Sequence, residues 1–250
     1  MPAEVIAKTP CYLRSEQSPV FIRYCERVYG AMLNQFGTAD MEQLTLLLEV
    51  LRLRPGSHVL DAGCGTGATT RYLSGKSGAR FIGIDIAEPA IARAKELATA
   101  NPDQLDFKVG TMDAMDFSPG SFDAVVVIDS LYFCKDLTAT IGQFLRILRA
   151  GGQMGLFYTH IVESSESSLA ASDTKLGAAL RANGVAFDVH ELSESDRHFW
   201  QRSKDVAEDM RVDFEAEGNA DLMHLGETDA VLDLIAKGRH ARYLYHARIR

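Results

Sequence analysis

Apolar positions along the chain change period twice. Between residues 19 and 51 they recur at helical spacing. Pro19-Val20-Phe21-Ile22 opens one helix and Val28-Tyr29 continues its apolar face. After a break from Gly30 to Asp40, the spacing of Met41, Leu44, Leu47, Leu48 and Leu51 predicts a second helix, stopped by Arg54-Pro55-Gly56. Short buried runs then take over. His58 to Ala62 reads as a strand that enters Gly63-Cys64-Gly65-Thr66-Gly67, with a helix following to about Leu73. Ala79 to Ile84 is the second strand and ends at Asp85; Glu88-Pro89 opens a helix through Ala100, with proline in its first turn. Leu105 to Val109 and Ser121 to Ile128 are the third and fourth strands. Val125-Val126-Val127-Ile128 is apolar without alternation, as expected for a strand covered on both faces.

Ile141 to Leu148 is predicted helical, stopped by Gly151-Gly152, and Gln153 to Tyr158 is the fifth strand. Residues 161–174, rich in Ser and Glu, predict a mobile connection. Leu176 to Ala182 is a helix closed by Asn183-Gly184, Val185 to Leu192 is a strand, and Ser193 to Lys237 is a long polar helical insertion. Tyr243, Tyr245 and Ala247 alternate through a last strand, Arg242 to Ile249. Strands alternating with helices imply crossover connections, a mostly parallel sheet and an α/β fold. No internal repeat or low-complexity tract is present.

Composition narrows the function without naming it. A chain of 250 residues with 46% hydrophobic and 24% charged residues fits one globular domain. A net charge of −8 argues against a nucleic-acid partner, which needs a basic face. No apolar run approaches the roughly 20 residues a membrane span requires, and Met1 to Arg14 is too polar for a secretory leader. Cys11, Cys25, Cys64 and Cys134 form no C-x-x-C pair and no zinc spacing. The expectation is a cytoplasmic protein with free thiols, no metal, no membrane partner and a small-molecule ligand, with homo-oligomerisation left open.

The chemistry concentrates at strand ends. Gly63, Gly65 and Gly67 let a ligand approach the main chain because no Cβ intrudes. The strand, glycine loop and helix suit an adenosine-type cofactor, and the match through Ala68 would also suit NAD. Asp61 separates the two. A carboxylate at the mouth of this turn repels a diphosphate and attracts the ammonium and sulfonium of S-adenosylmethionine. Asp85, about 20 residues on, can take a pair of ribose hydroxyls. Asp113 can accept from an adenine amino group, between the apolar faces of Met112 and Ile86.

This run resembles the first motif of the class I S-adenosylmethionine-dependent methyltransferases. Ile84-Asp85-Ile86 resembles their second motif, Asp123-Ala124-Val125-Val126 with Asp129-Ser130 their fourth, and Gly151-Gly152-Gln153 is typical before the fifth strand. The outline is similar to the sarcosine/dimethylglycine and phosphoethanolamine N-methyltransferases. The resemblance implies a Rossmann-like sheet of seven strands, the last antiparallel. It implies cofactor contacts at Asp61, Gly63, Gly65, Gly67, Asp85, Ile86, Met112, Asp113 and Asp129, with Cys64, Ala114 and Ser130 in the same turns. Within a single domain over 1–250, helices in 1–52 would cover the cofactor and 193–238 would form a helical lid. The segment Asp129-Ser130-Leu131-Tyr132-Phe133-Cys134 lacks the His that phosphoethanolamine enzymes carry after the fourth strand, so the analogy carries the architecture and leaves the substrate open.

Methyl transfer is an in-line displacement that mainly requires alignment and exclusion of water. Side chains placed to act on the acceptor are Tyr132, His160, Glu163 and Tyr29, with Asp129 as an orienting group. Trp200, the only tryptophan, could hold a cationic acceptor or cover an apolar one. N- or C-methylation is favoured, with O-methylation a third possibility. The alternatives are a catalytically silent S-adenosylmethionine-binding module and an NAD-dependent oxidoreductase.

Overall fold

Seven strands form one sheet in the order β3-β2-β1-β4-β5-β7-β6 in a computed structural model that describes residues 13–31, 33, 37–99 and 102–249. The strands are β1 (His58–Ala62), β2 (Arg80–Asp85), β3 (Leu105–Val109), β4 (Phe122–Val127), β5 (Leu148–Ile161), β6 (Phe187–Glu191) and β7 (His240–Arg248). β1 to β5 pair in parallel, whereas β7 is antiparallel to both β5 and β6. The mostly parallel sheet is the one the alternating pattern predicts, and its seven strands with the last antiparallel are the Rossmann-like arrangement the resemblance implies.

Helices cover both faces. On one, α2 (Met41–Leu51), α3 (Ala68–Ser77) and α4 (Glu88–Ala98) bury Leu44, Leu47, Leu73 and Ile91 against Val59, Phe81, Phe107 and Phe157. On the other, α5 (Leu137–Ile147) and α6 (Lys175–Ala182) bury Ile141, Phe144 and Leu180 against Leu60, Val125, Leu156 and Tyr245. A third cluster lies apart from the sheet. It joins α1 (Pro19–Tyr29) to α7 (Ser193–Asp209) and α8 (Arg211–Glu217) through Phe21, Tyr24 and Val28 against Phe199, Met210 and Phe214. Arg23 and Arg27 pair with Asp213 and Asp209 across this contact, both at 2.7 Å. These pairs are exposed, so each contributes about 1 kcal/mol at most.

Three elements differ from the pattern-based expectation. α5 begins four residues earlier than Ile141 because the Asp136 carboxylate caps it, accepting from Thr138 N at 2.9 Å and Ala139 N at 3.1 Å. β5 begins at Leu148, paired with Phe122 through a register shift, so Gly151-Gly152 lies inside the strand and does not end the helix. The late insertion is three helices, α7, α8 and α9 (Leu225–Ala236), broken after Asp209 and by Gly218 at φ +76°. The serine-rich connection is tied down at its far end: Tyr243 Oη donates to Leu169 O, and Tyr245 Oη to Ala171 O at 2.7 Å. α4 ends at Ala98; Ala100 lies outside the described residues. Among the described residues, Cys25, Cys64 and Cys134 are unpaired and no helix is long and apolar enough to cross a membrane; Cys11 lies outside them.

Candidate functional site

The carboxyl ends of β1, β2, β4 and β5 open into a cavity of about 1050 Å³. That is the position where open α/β sheets bind ligands. Its size is at the upper end of what one drug-sized ligand fills, so it has room for two ligands.

One half of the cavity is built from the glycine loop and three acids. Gly63 N and Cys64 N donate to Ile84 O at 2.8 and 3.1 Å, pinning the loop to the end of β2. Gly63 stands at φ +89°, where an added Cβ would overlap the Ser130 side chain, itself donating to Ala62 O at 2.7 Å. Gly65 faces open space on its Cβ side. Asp85 accepts from Gly65 N at 3.0 Å through one oxygen and from Ala87 N at 2.9 Å through the other, so it braces the loop and still has lone pairs for a ligand. Asp113 accepts from Lys135 N at 2.9 Å through Oδ1. Met112 and Ile86 line the same wall.

Asp61 departs from its expected place. It lines the cavity but is 2% exposed, lying beneath the loop and not at its mouth, and Thr70 Oγ1 donates to it at 2.6 Å. Burial pushes its carboxyl up to about 6, against the pull of the Thr70 hydroxyl. Its influence on a ligand is that of a buried floor charge. Cys64 is a wall residue whose thiol burial holds well above its usual range.

The other half of the cavity rests on Arg242, which pattern reading treated as one position of the last strand. Arg242 is fully buried, and its guanidinium grips Asp129 in a fork, Nη1 to Oδ1 at 2.6 Å and Nη2 to Oδ2 at 3.0 Å. It also donates to Gln43 Oε1 at 2.9 Å and Thr159 Oγ1 at 3.1 Å, and stacks over Phe157. Asp129 sits at φ +53° and accepts a further bond from Thr38 N at 2.8 Å. Its carboxylate is thus committed to the protein, which leaves it as a wall and not as a free base. Asp196 in the first turn of α7 lies 3.4 Å from Arg242 Nε and accepts from Trp200 Nε1 at 3.0 Å. Trp200, His240, Glu227 and Val231 complete this end.

The four side chains expected to act on the acceptor are separated by the fold. Tyr132 lines the cavity, but its oxygen accepts from Thr159 N at 2.5 Å and burial pushes its phenol up, so it is a neutral wall group. Tyr29 is buried against Phe199, donates to Gly37 O at 3.0 Å and does not itself line the cavity. His160 points away to Ser168 O, at 3.3 Å, and Glu163 is exposed on the following loop; neither lines the cavity. Gly67 and Ala114 do not line it either. Gly67 begins α3 at φ +71°, where a Cβ would meet Phe107 at 2.5 Å, so it is a packing glycine; Ala114 is exposed. Sequence reading missed Arg242, Asp196 and His240. An arginine between Ala241 and Tyr243 in a strand buried on both faces was the available signal, because such a charge demands a counterion.

Comparisons with known proteins agree with this arrangement. Residues 59–152 match the family described as "Methyltransferase domain". Phosphoethanolamine N-methyltransferase 1 of Arabidopsis thaliana is 30% identical over 138 residues, covering 55% of this chain and 28% of that protein. Nocamycin O-methyltransferase of Saccharothrix syringae is 36% identical over 113 residues, covering 44% and 40% respectively. The matches thus span less than half the length of these relatives. Among solved structures, Haemonchus contortus phosphoethanolamine N-methyltransferase 2, in complex with phosphomonomethylethanolamine and S-adenosylhomocysteine, superposes with a TM-score of 0.78 at 18% identity, over 92% of this chain and 57% of that one.

Proposed function

With a methyltransferase domain over residues 59–152, we propose that this chain transfers a methyl group from S-adenosylmethionine to a small-molecule acceptor, favouring nitrogen or carbon, and releases S-adenosylhomocysteine. The observation that carries the reading is the meeting of Asp61, Asp85 and Asp113, from three successive strand ends, around one glycine loop. The residues fit the cofactor. Gly63 and Gly65 admit its main-chain-hugging amino-acid arm, and Asp61 offers that arm a buried negative charge. Asp85 takes the ribose hydroxyls with the lone pairs its two amide bonds leave free. Asp113 Oδ2 takes the adenine amino group, with Met112 and Ile86 against the ring. When bound, the cofactor supplies an electrophilic methyl carbon; the chain's part is to align the acceptor and exclude water.

The chain acts as one domain in this reading. Gly37 and Thr38 from the N-terminal part and Trp200, Glu227 and Val231 from the insertion 193–238 wall the cavity, with α1 supporting α7 and α8 through their shared apolar cluster. Calorimetry tests the assignment. S-adenosylhomocysteine should bind with micromolar affinity or better while NAD gives no heat. Binding of NAD, or of neither, would remove the reading. Acceptor-dependent release of S-adenosylhomocysteine then separates an enzyme from a silent binding module.

A further inference from the structure

The insertion carries an apolar helix that the fold leaves half covered. In α9, Val231, Leu232, Leu234 and Ile235 are all half-buried, and the buried residue of the helix is Thr228. A helix of this kind normally turns its apolar stripe inward. α9 packs against α7 and β7, and its Val231 lines the cavity together with Glu227, one turn earlier. Ile161, the last residue of β5, is 52% exposed, lines the same cavity and pairs in the ladder with His240 at the start of β7. The half-buried Trp200 from α7 and the ring of Tyr132 join them on this wall. Apolar surface left against water is unfavourable, and a ligand of the same character recovers that free energy.

The polar groups around Arg242 offer a charged ligand little. Arg242 and Asp129 neutralise each other in their fork, and the Tyr132 oxygen is bonded to Thr159 N. Burial first and Arg242 second press the His240 imidazole down to about 4, so that ring is uncharged near pH 7. Glu227 is exposed. The glycine loop and its acids occupy the other half of the cavity, so a cofactor seated there leaves the apolar wall facing whatever receives the methyl group.

We infer that the acceptor carries an apolar body, alkyl or aromatic, that seats against Ile161, Trp200 and Val231. The inference rests on the methyl-transfer reading for the word acceptor, whereas the apolar seat is a property of these side chains alone.

Trp200 is the only tryptophan in the chain, so its emission reports the seat directly. The protein is titrated with 1-butanol, 1-hexanol and 1-octanol, with and without saturating S-adenosylhomocysteine. Burial contributes about 0.8 kcal/mol per methylene, or about fourfold in Kd, so 1-octanol should bind roughly two hundredfold tighter than 1-butanol. Ile161→Asp and Val231→Asp put a charge where the side chain already meets water in part, so the fold tolerates them, and each should weaken 1-octanol binding about tenfold or more. Val212→Asp, at a residue 75% exposed and outside the cavity, should leave it unchanged. No response to the alcohols, equal binding of all three, or a chain-length preference that survives in both cavity variants would each overturn the inference. Sedimentation showing a native dimer that Ile161→Asp dissociates, with 1-octanol binding intact, would also overturn it, because a second copy of the chain would then be what covers Ile161. Failure of the native protein to bind S-adenosylhomocysteine, with the alcohol series intact, would instead strike the methyl-transfer reading.

Discussion

Replacing Arg242 by Met keeps the bulk of the side chain and removes its charge. The consequence can be worked from its contacts. Asp129 loses both arms of a fork at 2.6 and 3.0 Å, and Asp196 loses its nearest cation. Among the described residues, Asp129 then keeps the hydrogen bond from Thr38 N, at 2.8 Å. Removing one partner of a buried pair costs about 3–5 kcal/mol, because the surviving charge has neither water nor counterion. In a domain of this size that lowers the midpoint of thermal unfolding by roughly 6–20 °C, at about 2–4 °C per kcal/mol. Urea denaturation followed by circular dichroism reads the same quantity. A second substitution sharpens the test. Asp129→Asn preserves the left-handed backbone at φ +53°, which Asn tolerates, and removes the stranded charge. The double variant should be more stable than Arg242→Met alone by about 1–3 kcal/mol, with Asp196 accounting for what is not regained. A loss below about 1 kcal/mol in the single variant, or simple addition of the two single losses, would refute the claim that this ion pair organises the site.

Asp61 gives a pH dependence with a definite sign. Its carboxyl, raised to about 6 in the free protein, is mostly protonated at pH 5, and a cationic ligand prefers the carboxylate. S-adenosylmethionine should therefore bind up to about tenfold more weakly at pH 5 than at pH 7, and Asp61→Asn should flatten the profile; a flat calorimetric profile in the native protein contradicts the assignment. Gly63→Ala would drive a Cβ into Ser130 at a backbone φ of +89° and should cost about 2 kcal/mol of stability together with cofactor affinity, seen as a lowered unfolding midpoint. His160→Ala should leave cofactor affinity and methyl transfer at native levels, because the ring bonds Ser168 O outside the cavity; a large loss of turnover would restore it as a functional group.

The sheet and the glycine loop were legible because their signals are local. Burial on both faces shows as an unbroken Val125-Val126-Val127 run, and the loop declares itself by residues that must accept positive φ. The three acids were legible for the same reason, each ending or following a strand. Their burial was not: whether Asp61 lies under the loop or at its lip depends on Thr70, one helix turn beyond the glycines. The half of the cavity around Arg242 was largely hidden. Asp196 looks like one of several acids on a polar helix, and Arg242 like one position of an alternating strand. Their pairing crosses the fold, and no spacing rule links them. His160 was favoured because it follows the fifth strand, but β5 continues through Ile161, and its alternation turns Thr159 and Ile161 to the cavity and His160 to the other face.

The position of β7 in the chain has an effect on how the protein comes into being. Gln43 and Arg242 are partners across 199 positions, and Asp129 and Arg242 across 113. Until the C-terminal strand slides between β5 and β6, two carboxylates and an amide surround an absent counterion. Such late, distant closure is slow in general. A cut ahead of β7 would take away the guanidinium that Asp129 and Asp196 share, whereas the glycine loop is held by Ile84 and Asp85 from β2, so the damage would fall first on the half of the cavity farthest from those glycines.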